Sequence, residues 1–376
     1  MEETKPLVSF IIPVYNIPAD MLRECLDSIM QLSLRPFERE IIVVDDGSDC
    51  PIWADTSGGQ KPSDGLRPMI DDIIYIRQKN AGVSVARNTG IRMATGRFIQ
   101  FVDGDDLLLQ APYEHVLDLL RYNRCDMVLF DFISTLNSQP VTPNPQPSTL
   151  DPQPSTLDSQ PSTLNPQLST LNPQLSTLNP QLSTLYDDHG PMAGGDLLRC
   201  ENIHGSTWGY VFSSSIIGSL RFTPGVSYGE DEEFTPQLLL RAESVMRTTA
   251  KAYFYRQRLT SATGQVSKKS LLRRLDDSKN VILRLKTIAD RMPAADRVAM
   301  QRRTAQLTMD YIYNIMVMTR SSSYLERKIT ELEQKGLFPL PDRDYTTKYT
   351  WFRRMTATKA GRTIMLRTLP LLNREP

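Results

Sequence analysis

Residues 98–106 read Phe-Ile-Gln-Phe-Val-Asp-Gly-Asp-Asp. A short apolar run rich in aromatic and β-branched residues predicts a strand, Phe98–Asp103, and it runs directly into acids. The same pattern occurs twice upstream. Val8–Val14 (VSFIIPV) leads into Tyr15-Asn16, and Glu40–Asp46 (EIIVVDD) leads into Gly47-Ser48-Asp49. Ile73–Ile76 and Met127–Ile133 are further apolar runs of strand length. Between them, Met21, Leu22, Cys25 and Ile29 recur at helical spacing, and Gly82–Ala94 reads as a helix closed by Gly96. Strands separated by helices predict a mostly parallel sheet covered on both faces. Ligands of such sheets bind beyond the carboxyl ends of the strands, where these polar motifs lie.

The acids are the chemical signal. Asp45-Asp46-Gly47-Ser48-Asp49, Asp103-Gly104-Asp105-Asp106 and Gly229-Glu230-Asp231-Glu232-Glu233 are three separate clusters. Neighbouring carboxylates raise each other's pKa unless a cation or a donor compensates. Hard oxygen ligands in small number suit Mg²⁺ or Mn²⁺, with substrate phosphate completing the shell. Solvated turns and helix caps are the bland reading of any one cluster.

The chain has 376 residues, with 43 Lys+Arg against 43 Asp+Glu. That balance argues against a nucleic-acid partner, which calls for a basic excess. Acids outnumber bases in residues 1–240, and bases outnumber acids in 241–376. Four scattered cysteines and three separated histidines predict no zinc site and fit a reducing cytoplasm. Neither a signal peptide nor an apolar run long enough to span a bilayer is legible.

Residues 134–185 are a heptapeptide repeat, STLNPQL and variants, with proline in nearly every unit. Proline excludes a coiled coil, and one Leu per unit offers too little apolar surface to offset ordering, so the segment is expected to be a disordered insertion. It divides the chain into 1–133, which carries the strand-end motifs, and 186–265, with mixed short elements. Residues 266–376 follow as a basic helical region. There Leu271, Leu272, Leu275, Val281, Ile282 and Leu285 predict one amphipathic helix and Val298–Met318 another, as an accessory bundle.

The order of motifs resembles one family. Pro13-Val14-Tyr15-Asn16, Asp45-Asp46-Gly47-Ser48, Asn80-Ala81-Gly82 with Ala86-Arg87-Asn88, Phe101–Asp106 and Glu230-Asp231 look like the family-2 inverting glycosyltransferases of the GT-A (Rossmann-like) fold. The resemblance runs over about 8–134 and 204–262. It implies a nucleotide-diphosphate sugar donor and a glycan or lipid-linked acceptor. Pro13, Tyr15 and Asn16 then line the base pocket, Asp46 meets the base with Asp45 in support, and Arg87 contacts the nucleotide. The motif Asp103-Gly104-Asp105 places Asp103 on the ribose or sugar and Asp105, with Asp103, on a Mn²⁺ or Mg²⁺ ion, with Asp106 assisting or capping a helix from Leu107. Asp231 is the expected general base, beside Glu230. Trp208 resembles an acceptor-side wall or is core. Arg256 or Arg258 resembles a diphosphate contact or is a surface charge.

Two other classes stay open on the sequence. A nucleotidyltransferase or nucleotide-sugar hydrolase uses similar carboxylates, but sugar nucleotidyltransferases usually carry a Gly-rich phosphate loop near the first strand, where this chain has Pro13-Val14-Tyr15-Asn16. A non-catalytic nucleotide- or sugar-binding descendant is the other. The basic C-terminal region is expected either to touch the inner membrane face peripherally or to be a solvated helical face.

Overall fold

The computed structural model describes residues 5–50, 73–136, 185–257 and 267–372. The predicted insertion therefore lies almost wholly outside the described residues, and so does Arg258.

Strands β1 (Val8–Val14), β2 (Arg39–Asp45), β3 (Ile73–Arg77) and β4 (Phe98–Phe101) pair in parallel in the order β3-β2-β1-β4. Every residue of β1 is buried, because helices cover both faces of the sheet. Helix α1 (Ala19–Met30) packs Leu22, Cys25, Leu26 and Ile29 inward, an i, i+3, i+4, i+7 stripe. Helix α2 (Val83–Met93) follows β3. The chain moves outward from β1 to β2 to β3 and then returns to place β4 on the other side of β1. That reversal is a topological switch point, and it opens a crevice at the carboxyl ends of β1 and β4.

Beyond β4 the sheet becomes mixed. Leu107–Leu108 forms a short strand, β5, paired with β9, and helix α3 begins only at Gln110 and runs to Tyr122. The helix expected from Leu107 is thus displaced by a strand. Strand β6 (Met127–Leu136) runs three residues past the predicted Ile133, because its second half pairs with β9 as far as Leu136 opposite Gln257. Strand β7 (Asp188–Met192) and helix α4 (Gly194–Cys200) follow the insertion. Strand β8 (Tyr210–Ser213) fits antiparallel between β4 and β6. Helix α5 (Glu230–Leu239) precedes the long strand β9 (Val245–Gln257).

Among the described residues after β9 there are five helices: α6 (Lys268–Asp290), α7 (Ala294–Thr319), α8 (Ser322–Gln334), α9 (Thr347–Thr356) and α10 (Lys359–Leu372). Leu275, Val281, Ile282 and Leu285 of α6 are buried with Ile312, Ile315 and Met316 of α7 in a separate apolar core. Ala299 of α7 instead joins the core under the sheet. Next to it, Arg302 donates to the carbonyls of Glu201 at 2.6 Å and Leu198 at 3.3 Å, capping the end of α4.

Candidate active site

The Asp-Gly-Asp-Asp turn is built from β4 outward. Val102 N–H still donates to Ile11 O at 3.0 Å, so the chain follows β1 past the last strand pair. Asp106 N–H then donates to Asp103 O at 2.9 Å and closes the turn. Strand β9 holds it from behind. Asp103 N–H donates to Tyr253 Oη at 3.0 Å, Tyr253 O–H donates to Asp106 Oδ2 at 2.9 Å, and Arg256 N–H donates to Asp106 Oδ1 at 2.7 Å. Asp106 is fully buried. Burial, reinforced by Asp103 and Asp105, holds its carboxyl well above the usual range. It caps no helix, as the sequence had allowed, and faces strand β9 instead.

Asp103 (30% exposed) and the half-buried Asp105 are the acids on the open side of this turn. Among the described residues, no group of three or more His, Cys, Asp or Glu side chains is placed to hold a metal ion. Asp103 and Asp105 offer two carboxylates, a set that fits Mg²⁺ or Mn²⁺ where water and the phosphate oxygens of a substrate complete the shell.

Arg87 joins this turn to the acids of α5. It lies on α2, its side chain 5% exposed, with its guanidinium over the rings of Phe222 (5.3 Å) and Phe101 (6.0 Å). One nitrogen reaches Asp231 Oδ1 at 2.6 Å and Glu230 Oε1 at 3.0 Å, and the other reaches Asp103 Oδ1 at 3.3 Å. Burial alone would weaken its hold on the proton, but Asp231, Asp103 and Glu230 reverse that, and it stays charged. Asp231 keeps its other oxygen toward Thr207 N–H at 3.3 Å. Burial pushes the Asp231 carboxyl up to about 7 against the pull of Arg87, with Glu230 and Asp103 adding to the rise. A carboxylate in this range can both take and release a proton near neutral pH. The pairing of Thr207 with Asp231 and the place of Phe222 under Arg87 carried no signal in the sequence, because both contacts join residues far apart along the chain.

The residues assigned to the base pocket divide. Tyr15, at 50% exposure, presents its ring at the mouth of the crevice. Asn16 adopts a left-handed conformation (φ 50°), which asparagine tolerates, and its amide is tied to Asp49 by bonds of 2.9 and 3.0 Å. Pro13 is buried inside β1, two residues past the last pair with β4, so its missing N–H breaks no bond there. Both aspartates turn inward. Asp45 accepts from Ser48 N–H at 2.8 Å and Tyr75 O–H at 2.7 Å. Asp46 accepts from Gln78 Nε2 at 2.7 Å and from the N–H groups of Ala81 (3.0 Å) and Gly82 (2.8 Å). They fix the two loops around the pocket. Gly47 is required between them: its φ is +78°, and a Cβ would meet Asn80 N at 2.7 Å.

Trp208 is 5% exposed. Its indole stacks on Tyr253 (4.6 Å, 12°) and Tyr255 (5.5 Å, 14°), with Phe132 edge-on at 4.8 Å. Here it packs the core beneath the site. Arg256 sends its guanidinium to Glu24 at 2.6 Å.

The parallel half-sheet, the switch-point crevice and the Asp-Gly-Asp turn facing an Arg87-linked acid pair make up a GT-A fold. Residues 9–169 match the model of Glycosyl transferase family 2. It is 39% identical over 123 residues to the uncharacterized glycosyltransferase EpsJ of Bacillus subtilis, covering 33% of each chain. It is 36% identical over 132 residues to the glycosyltransferase GlyA of Streptococcus pneumoniae, covering 35% of this chain and 18% of that one. The match thus spans a third or less of these curated relatives. The S. aureus TarS 1–349 crystal structure shares the fold over 98% of this chain and 91% of that one, with a TM-score of 0.55 at 15% identity. A second TarS structure, in complex with UDP-GlcNAc, has a TM-score of 0.54 at the same 15% identity. Among the described residues, no helix is long and apolar enough to cross a membrane.

Proposed function

We propose that the protein is a metal-dependent inverting glycosyltransferase that moves a sugar from a nucleotide-diphosphate sugar to a glycan or lipid-linked acceptor. The observation that carries this reading is the Arg87 cluster, which brings the donor-side acid Asp103 and the acid Asp231 onto one guanidinium. Tyr15 offers a face for the base, and Asp103 and Asp105 would hold Mn²⁺ or Mg²⁺. When bound, that ion offsets the negative charge of the diphosphate and of the leaving group. Asp231 accepts the proton of the acceptor hydroxyl as its oxygen bonds to the anomeric carbon. The bond from that carbon to the diphosphate oxygen breaks, and the nucleoside diphosphate leaves with the electron pair. A positioned base of this kind contributes roughly 10²–10⁴ in rate. Glu230 shares the Arg87 nitrogen with Asp231, and Thr207 N–H donates to the other Asp231 oxygen. The TarS complex with UDP-GlcNAc supports a nucleotide-sugar donor for this fold.

A thermal-shift screen tests the reading, with UDP-, GDP- and CMP-linked nucleotides, each with and without Mn²⁺, on wild type and Asp105→Ala. The expected result is Mn²⁺-dependent stabilisation by one nucleotide family, lost in the variant. No shift from folded protein with any nucleotide would favour the non-catalytic reading.

The same reading places the protein in the cytoplasm, with its basic end against the inner membrane face. Exposed Trp351 and Ile364 on α9 and α10, among exposed Arg354, Lys359 and Arg367, support that contact. Association with anionic liposomes that weakens with salt is expected, and none at low salt would remove it.

A further inference from the structure

Helix α5 opens with four consecutive acids, Glu230-Asp231-Glu232-Glu233. Its N-terminal dipole stabilises each by only about 0.3–1 kcal/mol, while four adjacent charges repel one another. The structure gives every one of them a guanidinium, and the guanidinia come from three different helices. Arg87 of α2 takes Glu230 and Asp231. Arg303 of α7 pairs with Glu232. Arg284 of α6 grips Glu233 Oε2 through two nitrogens, at 2.7 and 2.8 Å, while Thr223 O–H donates to Glu233 Oε1 at 2.8 Å. Arg303 and Glu233 are each 8% exposed, while their partners Glu232 and Arg284 are 33% and 34% exposed, so both pairs are half-buried rather than fully solvated. The Glu232 carboxylate lies directly on Gly205, where any Cβ would overlap it.

Successive helical residues point about 100° apart around the axis. One ion pair leaves a helix free to roll. Three pairs on three sides of one turn fix both its roll and its tilt. We propose that helices α6 and α7 belong to the catalytic unit, with Arg303 and Arg284 as positioning residues that set where Asp231 stands over the Asp103-Gly104-Asp105 turn. The inference rests on Asp231 being the base. It replaces the accessory role expected for the helical region. Arg302, which fastens the same turn of α7 to the end of α4, gives Arg303 a fixed anchor on the sheet side.

The test compares Arg303→Met, Arg303→Lys, Arg284→Met and Gly205→Ala with wild type. Gly205→Ala dislodges Glu232 without touching the bundle, so it serves if an arginine variant does not fold. Three readouts are taken: transfer kinetics, donor affinity by thermal shift, and deuterium exchange over residues 230–239. A base displaced by about 1 Å costs roughly 10²-fold in rate, so Arg303→Met and Gly205→Ala should lower kcat by roughly 10- to 100-fold. Donor affinity should be unchanged, exchange in α5 should quicken while β1 and β4 stay protected, and Arg303→Lys should recover part of kcat. Wild-type kcat in folded Arg303→Met, or parallel loss of kcat and donor affinity, would overturn the proposal. If wild type transfers no sugar to any acceptor, the functional reading fails separately. Exchange still decides whether the bundle holds α5, and unchanged exchange would sink the positioning role by itself.

Discussion

Replacing Arg87 with Met keeps the stem packed on Phe101 and Phe222 and removes one charge from among three carboxylates. In wild type those carboxylates lie 2.6, 3.0 and 3.3 Å from the guanidinium nitrogens. At an effective dielectric of about 20, a unit pair at ~4 Å is worth about 4 kcal/mol before desolvation. Orphaning a buried partner of such a pair typically costs ~3–5 kcal/mol. Asp103, Glu230 and Asp231 are 30%, 12% and 19% exposed, so water cannot fully replace the lost cation. The expected loss in urea-unfolding free energy is therefore ~3–5 kcal/mol at about pH 8. It should shrink at about pH 5, where the orphaned carboxylates take up protons instead. Adding Asp231→Asn to Arg87→Met should restore part of the stability at the higher pH. A loss below about 1 kcal/mol would place the pairs with screened surface contacts. A loss equal at both pH values would refute the electrostatic account and leave only packing.

If Asp231 is the base, kcat/KM should climb with pH on a limb near 7, where burial holds its carboxyl, and Asp231→Asn should abolish the limb with the activity; a flat profile contradicts the assignment. The same raised carboxyl makes stability depend on pH. The folded chain binds this proton more tightly than the unfolded chain does, so its contribution is full below the ordinary 3.8 and fades as pH rises toward about 7. Wild type should thus lose urea stability relative to Asp231→Asn across that window, with a slope no steeper than about 1.4 kcal/mol for each step of one in pH. Trp208→Ala should cost ~3–5 kcal/mol by circular dichroism, since the ring fills the space against Tyr253, Tyr255 and Phe132, and a near-neutral result would mean the indole is not core. Gly47→Ala should destabilise by ~1–3 kcal/mol, because its left-handed backbone and the nearby Asn80 N leave no place for a Cβ; an unchanged unfolding midpoint would contradict this.

The strands that end in acids were legible because period-two and short apolar runs are local properties of the chain. So was the placing of the polar motifs at the carboxyl ends of these strands, whereas the strand order that makes the switch-point crevice came only with the tertiary structure. Strand β5 was not legible. Two leucines after Asp106 suit a helix as well as a strand, and only pairing with Phe254 and Tyr253 decides between them. The division between inward-turned and solvent-facing acids was equally hidden. Asp45, Asp46 and Asp106 look like Asp103 and Asp105 in the sequence, yet backbone amides and tyrosine hydroxyls from distant strands turn the first three inward. Residue type and spacing determined which carboxylates gather at one end of the sheet. Which of them face solvent, which share Arg87, and which reach Arg284 and Arg303 were decided by tertiary contacts. Ion pairs and burial act through space, between residues as far apart as Arg87 and Asp231, and no local pattern encodes that distance.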